Sequence, residues 1–182
     1  MERLLLWRGL DESLAEAAVV QLEDRRMRAH GTQLGFDPHP YRVDYELETG
    51  EEWVTERLLV TARDDAGERR LDLRRDGAAA WTANGEQLPE MEGALDCDLA
   101  HSPLTNAMPV LREGLLDGGD PVDFSMAWVG VPDLTVHCSP QRYEPIDSRT
   151  VRYLSRDSDF RAELEFDEDG LVVRYPQMAE RI

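Results

Sequence analysis

Tyr41-Arg42-Val43-Asp44-Tyr45-Glu46-Leu47 carries a large apolar side chain at every odd position and a charged one at every even position. This period of two belongs to a strand with one buried face. Thr49-Gly50-Glu51 follows as a turn, and Trp53 to Ala62 returns as a long strand. Asp64-Asp65-Ala66-Gly67 turns again into Arg69 to Leu73. Asp76-Gly77 precedes Trp81, and Asn84-Gly85 is the strongest hairpin dipeptide in the chain. Upstream, Arg28 to Phe36 reads as a strand that runs into the stiff turn Asp37-Pro38-His39-Pro40, and Leu4 to Trp7 reads as the first strand. Between them, Asp11 could cap a helix through Leu14, Ala17 and Ala18, but Val19, Val20 and Leu22 suit a strand. The expectation is a turn followed by a strand over Ala17 to Leu22.

Downstream, Val122, Phe124, Met126 and Trp128 share one strand face, and Leu134, Val136 and Cys138 share another. Arg152 to Leu154 makes a short strand. In the closing hairpin, Phe160, Ala162, Leu164 and Phe166 point inward, Asp167-Glu168-Asp169-Gly170 turns, and Leu171, Val173 and Tyr175 point inward again. Many short strands at regular intervals predict an all-β, mostly antiparallel meander, roll or open barrel.

Gly93 to Pro109 is the least generic segment. Leu95, Cys97 and Leu99 alternate with Asp96 and Asp98 as a strand would. Ser102-Pro103 stops that strand, since proline brings no ladder donor. Thr105-Asn106 can bond nearby backbone and fix a tight turn or a short helical start, and Pro109 closes the segment. The sequence thus predicts a sheet with one fixed corner.

A chain of 182 residues, 41% of them hydrophobic, suffices for one sizeable core, and one domain over 1–182 is expected. There are 38 acidic residues against 20 basic ones, a net charge of -18, and no lysine. Such a surface repels nucleic acid and anionic membranes. Its acidic, lysine-free balance resembles proteins of halophiles, where molar salt screens self-repulsion. Two cysteines, Cys97 and Cys138, make neither a disulfide framework nor a metal site. Leu4-Leu5-Leu6-Trp7 is too short for a signal-peptide core or a membrane span, so a cytoplasmic protein without membrane insertion is expected.

An ordered set of motifs resembles the prokaryotic family called putative glycolipid-binding proteins. Trp7-Arg8 with Leu10-Asp11 fits the family's opening, and Val43-Asp44-Tyr45 with Trp53-x-Thr55-x-Arg57 fits its second block. Leu95-Asp96-x-Asp98-Leu99, Ser102-Pro103-Leu104-Thr105-Asn106 and Pro109 fit its most specific block. Val131-Pro132-x-Leu134, Gln141-x-Tyr143 and Val173-Arg174-Tyr175-Pro176 complete the set. The resemblance implies a spiral β-roll or open half-barrel, similar in outline to the lipoprotein carriers of the bacterial envelope. It also implies a neutral lipid or glycolipid as ligand.

Three functions stay open on the residues. In a binding protein, Trp7, Trp53 and Trp128 would wall an amphipathic ligand, with Arg57 and Asn106 at its polar end. In an enzyme, Asp96 and Asp98, two apart on one strand face with His101 nearby, would share a site that raises one pKa. The plainer alternative for these carboxylates is an exposed or backbone-bonded acidic edge. In a structural or partner-binding protein, the roll would be filled. Asp167-Glu168-Asp169-Gly170 lacks the downstream oxygens of a calcium loop and reads as a turn. No CxxC pair, HExxH, nucleophile elbow or phosphate loop occurs, so no cofactor or metal is expected.

Overall fold

Apolar alternation becomes strand after strand in the computed structural model, which describes residues 1–10, 13–37 and 39–182. The first meander comprises β1 (Glu2–Gly9), β2 (Leu14–Glu23), β3 (Arg26–Gly35), β4 (Tyr41–Thr49), β5 (Thr55–Asp64), β6 (Gly67–Arg75), β7 (Trp81–Ala83) and β8 (Glu86–Gln87). After β9 (Asp96–Leu99) the chain makes a 3₁₀ turn (Leu104–Asn106) and a short helix, α1 (Ala107–Arg112). The second meander comprises β10 (Val122–Val129), β11 (Val136–Pro145), β12 (Thr150–Ser155), β13 (Arg161–Phe166), β14 (Val172–Tyr175) and β15 (Ala179–Arg181).

Among the described residues fifteen strands join one sheet, in the order β8-β7-β6-β5-β4-β3-β2-β1-β15-β14-β13-β12-β11-β10-β9. β1 is the seam, pairing with β2 on one side and with β15 on the other. Among the described residues only β9 and β10 run parallel, because the chain crosses over through the corner and α1 between them. The β9 edge comes back to the first meander. Thr55 N donates to Leu95 O at 3.0 Å, and Cys97 N donates to Thr55 Oγ1 at 3.0 Å. The ribbon therefore rolls onto itself, giving the expected all-β spiral roll.

Rolling creates two cores. The first lies inside the first meander, around Trp7, Val43, Leu58, Val60 and Trp81, and reaches Cys97, Leu99, Ala127 and Val129. The second joins Val110 and Leu115 to Met126, Tyr143, Val151, Leu164 and Phe166. β9 and β10 stand between the cores and are covered on both faces. Burying one such Leu, Val or Phe side chain contributes about 1.5–3 kcal/mol.

Local chemistry fixes the turns. Asn84 (φ 51°) and Gly85 (φ 87°) take the left-handed pair of a type I′ hairpin. Asp167 Oδ1 accepts from Asp169 N and Leu171 N, each at 3.0 Å, so this loop is the turn it was read as. Ala127 lies between Cys97 and Cys138 in register, which puts the two thiols two strand spacings apart, about 10 Å, beyond disulfide reach.

Several elements differ from expectation. Trp53 does not begin β5; it ends a 3₁₀ turn with Glu52 at φ 59° and Trp53 at φ 64°. Its N–H donates to Arg25 O at 3.0 Å, tying the β2–β3 and β4–β5 hairpin tips together. Pro109 does not close the corner but lies in the first turn of α1, where its missing N–H costs little. β2 begins earlier than Ala17, at Leu14. Phe160 lies outside β13 and is 38% exposed. A register shift at Glu165/Phe166 leaves Leu171, Val172 and Tyr175 inward and Val173 half-buried. Asp11, weighed as a helix cap and read as part of a turn, and Pro38, read as part of a turn, lie outside the described residues.

Two glycines of β3 make room for tyrosines of β4. Gly31 pairs with Tyr45 and Gly35 with Tyr41. A Cβ at Gly31 would lie 2.5 Å from Tyr45 Cζ and 2.8 Å from Ala17 O. At Gly35 it would overlap the Tyr41 ring. Gly31→Ala should destabilise the fold by about 2–3 kcal/mol through overpacking, read as a lower urea midpoint with unchanged slope. A midpoint within error of wild type would show that Tyr45 can move aside at no cost.

Candidate functional site

The corner segment Ala100–Asn106 is bonded on both sides. Toward the first meander it meets Glu16, which the alternation of β2 turns inward. Glu16 Oε1 accepts from Tyr45 OH at 2.5 Å and from Ser102 Oγ at 2.8 Å. Gln33 Nε2 donates to Glu16 Oε2 at 3.2 Å and to Ala100 O at 3.3 Å. Burial pushes the Glu16 carboxyl up to about 7, against the pull of the hydrogen bonds from Tyr45, Ser102 and Gln33.

Toward the second core the segment meets Asp98. Gln141 Nε2 donates to Asp98 Oδ2 at 2.6 Å, and Thr105 Oγ1 donates to Oδ1 at 3.0 Å. Tyr143 OH donates to Asn106 Oδ1 at 2.9 Å and lies 3.2 Å from Gln141 Oε1. Asn106 Nδ2 in turn reaches the Ser102 and Pro103 carbonyls, each at 3.4 Å. Burial pushes the Asp98 carboxyl up, against these two donors. The same carboxylate helps burial to hold the phenols of Tyr143, Tyr153 and Tyr175 above their ordinary range.

Asp96 and Asp98 are therefore not an exposed or backbone-bonded acidic edge. Asp96 is 1% exposed and takes a two-pronged bond from Arg112, at 2.6 and 2.7 Å. Burial pushes its carboxyl up, against the guanidinium. Both carboxylates share a strand face, as their spacing predicted, but that face turns into the second core. The Cys97 thiol, on the opposite face, is pushed up to about 12 by burial and offers no nucleophile.

Asp98 lies in an open part of the second meander's inner face. Register places Asp98 beside Trp128, and Trp128 beside His137. The Trp128 and His137 rings lie 4.5 Å apart. Met126 pairs with Ser139, Phe124 with Gln141, and Gln141 with Ser155. Near Val122 and Val151, this face is filled by Val110 and Leu115. Toward Val129 and Ser155 exposure rises: Asp98, Trp128, Ser139 and Ser155 are half-buried, and His137 and Phe160 are exposed. Aromatic rings pack beside this part of the face. Tyr143 meets Phe124 and Tyr153 edge-on, each at 5.5 Å, and Tyr153 meets Phe160 at 5.9 Å.

The residues singled out in the sequence do not converge. Trp128 is half-buried beside Asp98, and Asn106 reaches the same network through Tyr143 OH. Trp7 is buried in the first core, its Nε1 donating to Val172 O at 3.0 Å. Trp53 packs against that core at the hairpin tips. Arg57 lies on β5, paired with Asp72 at 2.8 Å. His101 has φ 62° and an exposed surface in the corner. Sequence reasoning missed Glu16, His137, Ser139 and Gln141. Their signal was three polar residues at alternate positions of β11, His137, Ser139 and Gln141, and one acid among the inward residues of β2.

Clefts open on outward faces. One of about 680 Å³ crosses β2–β5 between Leu4, Val19, His30, Asp44 and Arg70. Another, of about 980 Å³, runs past Arg57, Arg74, Glu48 and Glu56. Charged side chains line both. Among the described residues there is no cluster of three or more His, Cys, Asp or Glu fit to hold a metal ion, and no helix long and apolar enough to cross a membrane.

Comparison with known proteins agrees with this architecture. The crystal structure of a DUF1089 family protein from Pseudomonas aeruginosa is similar, with a TM-score of 0.79 and 30% sequence identity over 92% of each chain. No curated protein sequence matches the chain significantly. The sequence profile of the family described as putative glycolipid-binding matches residues 4–181, nearly the whole chain, and the protein belongs to that family.

Proposed function

We propose that the protein binds a neutral amphipathic ligand of glycolipid type on the open inner face of β9–β13, without making or breaking bonds. The observation that carries this reading is the half-buried Asp98, held by Gln141 and Thr105 beside the Trp128–His137 pair, on a partly exposed face next to packed aromatic rings. An apolar body with polar groups at its mouth is how small-molecule sites are built. The family description points the same way. A net charge of -18 disfavours anionic headgroups. An acyl chain contributes about 0.8 kcal/mol per buried methylene, so a chain of about ten carbons offsets association costs at micromolar affinity. Two-carboxylate catalysis fits less well, since Asp96 is 1% exposed and both its oxygens are held by Arg112.

Trp128 supplies the reporter. A neutral alkyl glycoside below its micelle concentration should change Trp fluorescence saturably, with affinity rising along a chain-length series, and Trp128→Phe should remove most of the signal. No response from the wild type, together with unliganded protein by native mass spectrometry after incubation with the glycoside, would refute the reading.

A further inference from the structure

We infer that the outward face of β1–β6 is the contact surface for a second copy of this chain, joined about a two-fold axis that runs along the strands between β3 and β4; the contact leaves the inner face of β9–β13 free. Register arranges this outward face as four rows across six strands, running from Glu2 to Arg74, Leu4 to Asp72, Leu6 to Arg70 and Arg8 to Glu68. No residue of these rows is buried, and Leu4, Leu6 and Leu34 are exposed. Together the rows hold seven arginines and six acids, whereas the whole chain holds 20 basic and 38 acidic residues. The acidic excess that keeps copies apart therefore lies elsewhere on the molecule, and two copies can meet here without that repulsion.

The rows are complementary to themselves. Turned about that axis, each row lies over its own reverse. Arg28 then faces the partner's Glu48, His30 the partner's Glu46, Arg8 the partner's Glu68 and Val19 the partner's Leu59. Within one chain, the side chains of Arg28, Glu46 and Glu48 make no hydrogen bond or ion pair among the described residues. Arg57, in register with Glu48, is taken by Asp72. The aliphatic stems of Arg42 and Arg70 cover the partner's Leu34 and the partner's Leu6. The cleft of about 680 Å³ between Val19, His30 and Asp44 gives the long side chains room to interleave. Six strands about 4.8 Å apart and seven residues rising about 3.3 Å each cover roughly 29 by 23 Å. With side-chain relief that reaches the roughly 800 Å² per partner of a specific interface.

Sedimentation equilibrium at micromolar concentration, in about 1 M potassium chloride where repulsion is screened beyond about 3 Å, should show twice the mass of one chain. Arg28→Glu and Glu48→Arg should each weaken the dimer by at least about tenfold, since each sets like charges across the axis. An equimolar mixture of the two variants should dimerise like the wild type, because both contacts then join opposite charges. Mixing cannot repair a fault confined to one chain's folding, so the test holds even if a variant is less stable. A wild type of single-chain mass, or a dimer that neither variant weakens, would overturn the inference. So would variants that stay monomeric when mixed. A single-chain wild type whose Leu4→Glu form no longer binds the alkyl glycoside would overturn it by giving the face to that ligand.

Discussion

Arg112→Met alone will destabilise the protein by about 3–5 kcal/mol at pH 7, and adding Asp96→Asn will recover about half of the loss. The Arg112 side chain is 7% exposed and that of Asp96 is 1% exposed, so neither charge is solvated by water. Removing the guanidinium leaves a buried carboxylate with no cation, and its choices are an uncompensated charge or an unfavourable proton. The amide of the double variant carries no charge, so its burial costs less. Arg112 also lies over the Phe124 ring, 5.3 Å from its centre, a contact that methionine keeps only as packing. Urea unfolding of the wild type, both single variants and the double variant completes the cycle. A coupling below about 1 kcal/mol would mean that the pair behaves as an exposed one.

Glu16→Gln should make the protein more stable above pH 7 and remove most of the pH dependence between pH 5 and 8. The Glu16 carboxyl stands at about 7 in the folded protein and 4.5 as a free side chain. Over that interval the folded state holds a proton that the unfolded chain releases. Stability is therefore full below about pH 4.5, falls as pH rises through 7, and then levels off. The interval corresponds to about 3 kcal/mol. The amide keeps an acceptor for Ser102 and Tyr45 but has no charge to bury. Asp98 and Asp96 are shifted the same way and leave part of the slope in place. Chemical denaturation at pH 5, 6, 7 and 8 measures it. Parallel curves for wild type and variant would place the titration elsewhere.

Much of the fold was written in short-range pattern. Tyr41 to Leu47 announces its strand, and Asn84-Gly85 its hairpin, because period and turn chemistry are local. β15 was invisible, since three residues cannot show a period and its pairing with β1 is made far along the chain. The two-sided burial of β9 was invisible for a different reason. Asp96 and Asp98 alternate with apolar neighbours as on a solvated strand, and only the tertiary fold, with α1 packed on that face and β11 two strands along the same sheet, supplies Arg112 and Gln141. The same holds for β11. Val136 and Cys138 mark one face as interior, and on the polar face Gln141 becomes buried and Ser139 half-buried only once the ribbon curls. The candidate site is thus made from residues that a strand-by-strand reading assigns to water.

The seam between β1 and β15 sets when this protein can finish folding. Arg8 and Glu180 meet across it from positions 172 apart in the chain. At the usual pace of translation, β1 waits on the order of ten to thirty seconds for its second neighbour. During that time β1 is a bare edge, with Leu5 and Trp7 on one face and Leu4 and Leu6 on the other, the kind of template that recruits foreign strands. Closing so long a loop also places the protein among the slow folders, where contact order governs rate. The interval before the seam zips, more than the stability of the finished roll, is when the nascent chain is most exposed to aggregation.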